Sequence, residues 1–355
     1  MTSATTAPRP HPIDWLLEPD NPSVRYLTLR RLLSLPEDAT EIQAARSAIL
    51  RSPVVKHIFA RQASGGYWGD PDAPYLPKYK ATYWTVMLLG QLGLSRESEV
   101  GGAVQRGVEH VFSFQQPAGG FPEYAEEGAR REYALVAERR PAQGKASPEE
   151  SVSVADLVHQ MTLSCLTGNV VAALLRLGYG DDPRLWRAVD WLVAIQNADG
   201  GWLCPYWKAH VRDKHGCFYG AIAALEAFAE IPADRRPPAV QAATTRGAEF
   251  LLMHHLYRAD HHDLQVINPG WLELAFPWFY RYHILRGLWV LAKLGYRDAR
   301  MADALGVLRE KQTPEGKWVL ESTPHGRMQA NLEKRGQPSK WLTLYALWTL
   351  EALEG

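Results

Sequence analysis

The sequence has little cysteine, no net charge and no long apolar run, and each absence excludes a class of protein. Three cysteines among 355 residues are too few and too scattered for a disulfide framework, so reduced thiols or metal ligands are expected. The 39 basic residues balance the 39 acidic ones, which leaves no basic face for DNA or RNA. We therefore predict that nucleic acid is not a partner.

No apolar run approaches the roughly 20 residues that a membrane-spanning helix needs. Residues 1–15 also lack the charged-then-apolar layout of a signal peptide. These absences predict a cytoplasmic protein without a membrane span. Aromatic residues, in contrast, are abundant. The 13 Trp and 15 Tyr predict a core or an apolar cavity that is lined by rings.

A pattern of glutamine, glycine and an aromatic residue occurs four times along the chain. The copies follow stretches with apolar residues at helical spacing, such as Trp186, Val189 and Leu192. The pattern therefore predicts amphipathic outer helices that end in a glycine turn. The four copies are Gln62-Ala-Ser-Gly65-Gly-Tyr67-Trp68, Gln116-Pro-Ala-Gly119-Gly-Phe121, Gln196-Asn-Ala-Asp-Gly200-Gly-Trp202 and Gln312-Thr-Pro-Glu-Gly316-Lys-Trp318.

Almost wholly apolar helical stretches alternate with these outer helices. A helix that is apolar on every side must be enclosed on every side, so these stretches are predicted to form an inner layer. The alternation predicts an all-α fold, a closed (α/α)6 toroid, with an open solenoid as the alternative. Residues 1–355 are interpreted as one domain, in which residues 126–153 form a charged excursion or flap. The predicted inner helices are 24–35, 83–94, 163–179, 217–229, 278–296 and 342–353.

The glutamine-glycine-aromatic turns resemble the QW repeats of squalene and oxidosqualene cyclases and of the protein prenyltransferase β subunits. This resemblance implies an α/α toroid with a central apolar cavity for an isoprenoid chain. The Asp-x-Asp-Asp acid of class II terpene cyclases is absent, as is the Asp-Asp-x-x-Asp motif of class I synthases. The sequence therefore favours a prenyltransferase-like or an unusual cyclase-like enzyme, and fold alone does not decide between them.

The prenyltransferase resemblance also implies a zinc site. His215-Gly-Cys217 falls on the family's Asp-x-Cys ligand pair, and His283 lies near the position of its third ligand. In a toroid the inner helices run parallel, so Cys165, Cys217 and His283 would meet at one mouth, with Cys204 on a connecting loop. We therefore predict zinc bound by Cys165, Cys204, Cys217 and His283, with His215 as the competing ligand. Buried, unliganded thiols are the alternative.

Basic and aromatic residues complete the predicted substrate site. A basic cluster beside Cys217 is expected to bind a diphosphate, and rings on the inner helices are expected to line the cavity. A solvated loop and an ordinary core are the alternatives. The predicted basic residues are Arg212, Lys208, Lys214, Arg281 and Lys340, and the predicted rings are Trp84, Tyr219, Tyr282, Trp289 and Trp341.

Three functions remain open from the sequence. The first is an isoprenoid-handling enzyme with zinc at the cavity mouth. The second is a thiol-activating zinc enzyme similar to the lanthionine synthetases, although their adjacent Cys-His-Gly signature is missing. The third is a non-catalytic module that binds a hydrophobic ligand and holds structural zinc. The run Asp260-His261-His262-Asp263 could also look like a metal site. It is interpreted as an exposed loop instead, because His and Asp side chains at adjacent positions point apart and cannot readily share one ion.

Overall fold

The computed structural model describes residues 12–142, 144, 146, 149–261 and 263–355. Residues 1–11, most of the segment on which the prediction about a signal peptide rests, lie outside the described residues. The same is true of His262 and of four positions in the predicted excursion, 143, 145, 147 and 148.

Helices make up 55% of the chain and strands 3%, which confirms the predicted all-α class. The only paired strands in the described ranges are Trp318–Val319 and Pro338–Ser339, which run antiparallel with Trp318 opposite Ser339. Short 3-10 helices cover Ala233–Arg235, Pro269–Leu272 and Ala299–Met301. The α-helices are α1 (Ile13–Leu16), α2 (Pro22–Arg31), α3 (Thr40–Arg51), α4 (Pro53–Phe59), α5 (Thr82–Gln91), α6 (Gly101–Phe112), α7 (Glu126–Ala142), α8 (Glu150–Gln160), α9 (Ser164–Arg176), α10 (Pro183–Ala194), α11 (Lys208–Asp213), α12 (Phe218–Glu230), α13 (Pro238–Met253), α14 (Ile284–Lys293), α15 (Ala302–Glu310) and α16 (Lys340–Glu354).

Six helices contact one another in sequence and form the inner layer. Helix α5 packs on α9, α9 on α12, α12 on α14, α14 on α16, and α16 on α2. Most of their residues are apolar, although α2 also carries Arg25, Arg30 and Arg31, and all ten residues of α5 are buried. In chain order, an amphipathic helix covers each of the first five inner helices: α3 lies on α2, α6 on α5, α10 on α9, α13 on α12 and α15 on α14. The predicted excursion contains α7 and the first four residues of α8, and these two helices pack on each other. In the described part of the chain, no helix has the length and hydropathy of a membrane span.

The four repeated turns share one geometry. In the first copy the Gln62 side chain donates to the carbonyl of Gly66 (2.9 Å) and to that of Ala103 in the next outer helix (2.9 Å). In the second copy the glutamine with this role is Gln115, one residue before the predicted Gln116. Each turn has a glycine with positive φ, followed two residues later by a fully buried ring. These pairs are Gly66 and Trp68, Gly119 and Phe121, Gly200 and Trp202, and Gly316 and Trp318.

Residues 275–283 lie among the inner helices. The Gln91 side chain of α5 accepts from the Trp278 amide (2.8 Å) and donates to the Trp278 carbonyl (2.7 Å). The Trp278 ring packs against Tyr345 of α16 and Trp289 of α14. The fifth inner helix therefore begins at Ile284 and not at Trp278 as predicted, because the Trp278 backbone is bound to Gln91 instead of to a helix.

Charged side chains fill the space between α9, α12 and α14. Arg286 donates to Glu226 (2.6 Å) and to the Asn169 side chain (2.6 Å), and it is fully buried. Arg176 pairs with Glu226 and with Glu230 (2.7 Å). This network and the rings of Trp278 and Phe279 fill part of the space among the inner helices, where an isoprenoid cavity was predicted. A cavity of about 260 Å³ remains between α2, α5, α9, α12 and α16.

Candidate functional site

The largest cavity described, about 640 Å³, opens beside the first residues of α12 and not among the inner helices. Its walls come from residues 207–219, from His254 at the end of α13, and from residues 259–271. Rings make up much of the wall, and the charged side chains that line it are Asp213 and Asp260. The aromatic wall residues are Trp207, Phe218, Tyr219 and Trp271, together with the imidazoles of His215, His254 and His261.

The third repeated turn positions one side of the cavity. Asp199 of this turn accepts from the amides of Gly201 (2.9 Å) and Gly216 (2.5 Å). Gly201 and Gly216 approach so closely that a Cβ on either would lie within 2.8 Å of the other's Cα atom. The Cys217 amide then donates to the Trp202 carbonyl (2.7 Å). The turn therefore sets the backbone on both sides of Gly216, where His215 and Cys217 face the cavity.

A small hairpin after α13 positions the opposite side. The Ala259 amide donates to the Gln265 carbonyl (2.8 Å), and the Ile267 amide donates to the Tyr257 carbonyl (2.9 Å). This pairing carries Asp260 back toward His254, whose Nε2 lies 3.4 Å from an Asp260 carboxylate oxygen. His254 is only 2% exposed, and burial lowers its imidazole pKa below the usual value.

Three side chains from these segments converge on the cavity. One possible ligand atom from each of His215, His254 and Asp260 lies within 4.8 Å of the other two. In the part of the chain that the structure describes, this is the only group of three or more His, Cys, Asp or Glu side chains that could hold a metal ion. His254 was not predicted. Asp260 was interpreted as part of an exposed loop, which is wrong for this residue, because its side chain is only 16% exposed and lies against His254, whereas His261 is 75% exposed.

The predicted cysteine and histidine ligands are not assembled into one metal site. Cys217 lines the large cavity, Cys165 lines a much smaller one beside Trp84, and His283 lines a third, of about 110 Å³. His283 instead caps α14, where its Nδ1 accepts from the Arg286 amide (3.4 Å). Burial and the nearby Arg286 lower the pKa of His283 to about 3. These four residues therefore do not fit the predicted zinc ion.

The cysteines do lie near one another. The Cys217 thiol donates to Cys204, which lowers the pKa of Cys204 to about 7 and raises that of Cys217. Burial, with a further contribution from Cys204, raises the pKa of Cys165 to about 12. Cys204 and Cys217 therefore form a hydrogen-bonded thiol pair, and Cys165 lines a different cavity.

The predicted basic residues are spread over three places. Lys208, Arg212 and Lys214 are exposed on or beside α11, and the Arg212 side chain, 76% exposed, pairs with Asp213 at 2.7 Å. Arg281 lies beside His283 at the small cavity. Lys340 is 5% exposed and pairs with Glu18 (2.7 Å) and Asp20. None of the five lines the large cavity, so the structure does not assemble the predicted diphosphate site.

Most of the predicted rings belong to the core. Tyr219 alone among the five lines the large cavity. The Tyr282 hydroxyl donates to the Leu256 carbonyl (2.6 Å), and the Trp84 indole donates to the Tyr75 carbonyl (2.7 Å). Trp289 packs in the interior, and Trp341 stacks on Phe276 at a centroid distance of 4.4 Å. These four rings are at most 2% exposed because other side chains of the chain cover them.

Comparisons with known proteins give only distant structural likenesses. No family model and no curated protein matches the chain. A protein from Actinoplanes is 17% identical with a TM-score of 0.43, over 95% of this chain and 90% of that one. The type II terpene cyclase MstE from Scytonema is 18% identical with a TM-score of 0.44, over 93% and 87%. An MstE variant in complex with merosterolic acid A gives 19% and 0.46, over 96% and 97%. Such values establish neither a shared fold nor a shared activity.

Proposed function

We propose that this protein is an enzyme that binds an isoprenoid or a comparably apolar small molecule in the 640 Å³ cavity. The observation that carries the proposal is the cavity itself, whose volume falls within the range of about 300–1,000 Å³ that small-molecule sites occupy. Its walls combine rings with a few convergent polar groups. The cluster of His215, His254 and Asp260 supplies reactive groups at one wall, which favours an enzyme over a passive binding module.

The proposed ligand has no diphosphate at this cavity. Asp213 and Asp260 line the walls, and neither lysine nor arginine is among the described lining residues. Asp213 is already paired with Arg212, but Asp260 has no lysine or arginine partner among the described lining residues, so its carboxylate repels an anionic head group as long as no cation is bound beside it. An alcohol, an aldehyde or a hydrocarbon end fits this charge better.

We also propose that the six inner helices close into an (α/α)6 toroid. The chain of contacts from α5 through α9, α12, α14 and α16 to α2 supports this arrangement. The two ends of that chain meet where Gly93, just after α5, lies against the Tyr26 ring of α2, so closely that a Cβ there would be 3.1 Å from the ring. The large cavity would then lie at the mouth of the toroid.

Calorimetry with farnesol, geranylgeraniol and their diphosphates tests the proposed ligand class. We expect saturable binding of an alcohol that is at least as tight as binding of its diphosphate. Trp207 is about half exposed, so Trp207→Ala should leave the fold intact and weaken binding by about 1–2 kcal/mol, or roughly five- to thirtyfold. Val211→Ala, four residues further along in α11 and outside the cavity wall, is the matched control.

Two results would count against the proposal. One is the absence of saturable binding for all four compounds. The other is equal affinity in wild type and Trp207→Ala. Incubation of the bound compound with wild-type protein, followed by mass spectrometry, separates an enzyme from a binding module, because only an enzyme changes the mass or retention time of the compound.

A further inference from the structure

We propose that His215, His254 and Asp260 form a binding site for one divalent transition-metal ion at the wall of the large cavity. This inference rests on the proposed function, because it names the reactive group of the same cavity. The ligand set differs from the predicted one: it shares only His215 with it and contains no cysteine. The three residues come from the loop before α12, the end of α13 and the following hairpin, so the fold and not a local sequence motif brings them together.

The spacing suits a tetrahedral ion. Zinc bonds of about 2.0–2.1 Å to nitrogen and 2.0–2.2 Å to oxygen place neighbouring ligand atoms about 3.4 Å apart. The His254 Nε2 and an Asp260 oxygen are 3.4 Å apart, and all three ligand atoms lie within 4.8 Å of one another. Only a small movement of His215 is then needed for all three to reach one ion.

Hydrogen bonds fix both imidazoles in the ligand form. The His215 Nδ1 lies 2.7 Å from the Gly216 carbonyl, and the His254 Nδ1 lies 2.7 Å from the Phe250 carbonyl. A carbonyl oxygen can only accept, so each Nδ1 is the donor, and Nε2 is the ring nitrogen that can bind an ion. Metal-binding histidines almost always donate their second ring nitrogen in this way, because the bond orients the ring and fixes the tautomer.

The contact between the His254 imidazole and the Asp260 carboxylate requires a positive charge between the two groups. The His254 Nε2 and an Asp260 carboxylate oxygen are 3.4 Å apart, a contact that is favourable only when a proton or a metal ion lies between them. The other Asp260 oxygen lies 3.2 Å from the exposed His261 ring, which orients the carboxylate from the solvent side. A bound cation would therefore satisfy both acceptors and neutralise one of the two carboxylates at the wall.

Three protein ligands leave one or more coordination positions toward the cavity. Two histidines and one carboxylate are a ligand set that zinc uses in catalytic sites and that iron(II) uses with its remaining positions open. Either ion would act as a Lewis acid within reach of a ligand in the cavity. The absorption spectrum of bound cobalt(II) distinguishes the two geometries, since four-coordinate cobalt absorbs far more strongly than six-coordinate cobalt.

The test is a titration of full-length, chelator-treated protein with Co²⁺ and Zn²⁺, followed by calorimetry and by the cobalt spectrum. We expect one ion per chain. Asp260→Asn keeps the size of the side chain and should weaken binding at least 10- to 100-fold, the loss seen even for outer-shell groups. His215→Gln should do the same, and neither variant should show the rise in melting temperature that saturating metal gives the wild type.

Asp263→Asn changes an exposed carboxylate of the same hairpin outside the cluster, and it should bind metal as the wild type does. Circular dichroism of each variant without metal shows whether it is folded. The proposal is overturned if the wild type binds no stoichiometric ion, or if folded Asp260→Asn and His215→Gln bind it with unchanged affinity. Binding of farnesol to metal-free protein is measured separately, so failure of the metal site and failure of the proposed ligand class give different results.

Discussion

Lys340 is a basic residue whose role follows from its burial. It begins α16, is 5% exposed, and pairs with Glu18 and Asp20 near the N-terminal end of the described chain. A buried ammonium with two carboxylate partners stabilises the fold and is not available to a substrate. The residue therefore ties α16 to the segment between α1 and α2.

Replacing this lysine should affect stability and not ligand binding. Lys340→Met should lower the free energy of unfolding by about 1.5–3 kcal/mol, the range for hydrogen bonds to charged groups. Lys334→Met, at an exposed position, should stay within about 0.5 kcal/mol of wild type. Urea unfolding measures both. If Lys340→Met lost ligand affinity at unchanged stability, the lysine would belong to the binding site after all.

Some residues of the candidate site could be predicted from the sequence and others could not. His215 and Cys217 follow the third repeated turn, so their place beside a cavity could be anticipated from the repeats. His254 and Asp260 become neighbours of His215 only through the course of a hairpin that no periodic pattern marks. His283 lies at the start of the fifth inner helix, as predicted, but its Nδ1 accepts from the Arg286 amide and it lines a different cavity from Cys217, which no local pattern indicates.

At the scale of the single element, the repeated turn depends on its glycine. Gly200 has a φ of +88°, and a Cβ there would lie 2.3 Å from the Arg246 carbonyl oxygen of α13. Gly200→Ala should therefore lower the free energy of unfolding by roughly 2–5 kcal/mol, from backbone strain and overpacking together. Thermal and urea unfolding give the value.

Gly306 is the matched control for this substitution. It lies in α15, and a Cβ there would meet no atom within 4 Å. Gly306→Ala should stabilise the protein by about 0.5–1 kcal/mol, because alanine loses less backbone freedom in a helix. Equal effects of the two substitutions would mean that the turn does not depend on the glycine conformation.

The charged network joins α9, α12 and α14, so the loss of its central carboxylate should weaken the contacts among all three helices. Glu226 is 1% exposed and lies between Arg286 of α14 and Arg176 of α9. Glu226→Gln leaves two buried guanidinium groups without their shared carboxylate and should cost about 3–5 kcal/mol of stability. Urea unfolding at neutral pH measures the loss, and exposed Glu310→Gln serves as the control.

The same network makes stability depend on acid. Burial alone would raise the pKa of Glu226, but Arg286 and Arg176 outweigh it and hold the pKa below its usual value of 4.5. In acid the unfolded chain therefore takes up a proton before the folded one does, so stability falls as the pH drops from about 4.5. The free energy of unfolding should fall more steeply in wild type than in Glu226→Gln, and parallel slopes would contradict this cause.

At the scale of the whole molecule, stability should be uneven. Helices α7 and α8 pack mainly on each other, and Ala129 and Val154 are the buried apolar residues among their described positions. Helix α12, in contrast, is buried along most of its length against α9, α13 and α14. Amides of α7 and α8 should exchange with deuterium at least tenfold faster than those of α12, because local opening there exposes less apolar surface. Similar protection in both regions would contradict this.

The all-helical class and the order of the helices could be predicted because both follow from local patterns. Continuous apolar stretches mark helices that are covered on all sides, and glycine after a periodic stretch marks a helix end. What fills the interior could not be predicted in this way. A periodic pattern shows that a face is buried, but it does not show whether a ligand or the chain's own Trp278, Trp289 and Tyr345 cover it.

Two hydrogen bonds join the Gln91 side chain to the Trp278 backbone in the packed interior, and neither residue lines the large cavity. This contact holds the Trp278 backbone against α5, whereas the walls of the large cavity come from loops and helix ends that do not take part in it. Substitutions in these walls, in residues 259–269 for example, can alter the shape of the cavity without changing the core packing. The fold can therefore acquire a new ligand by loop variation alone, at little cost in folding free energy.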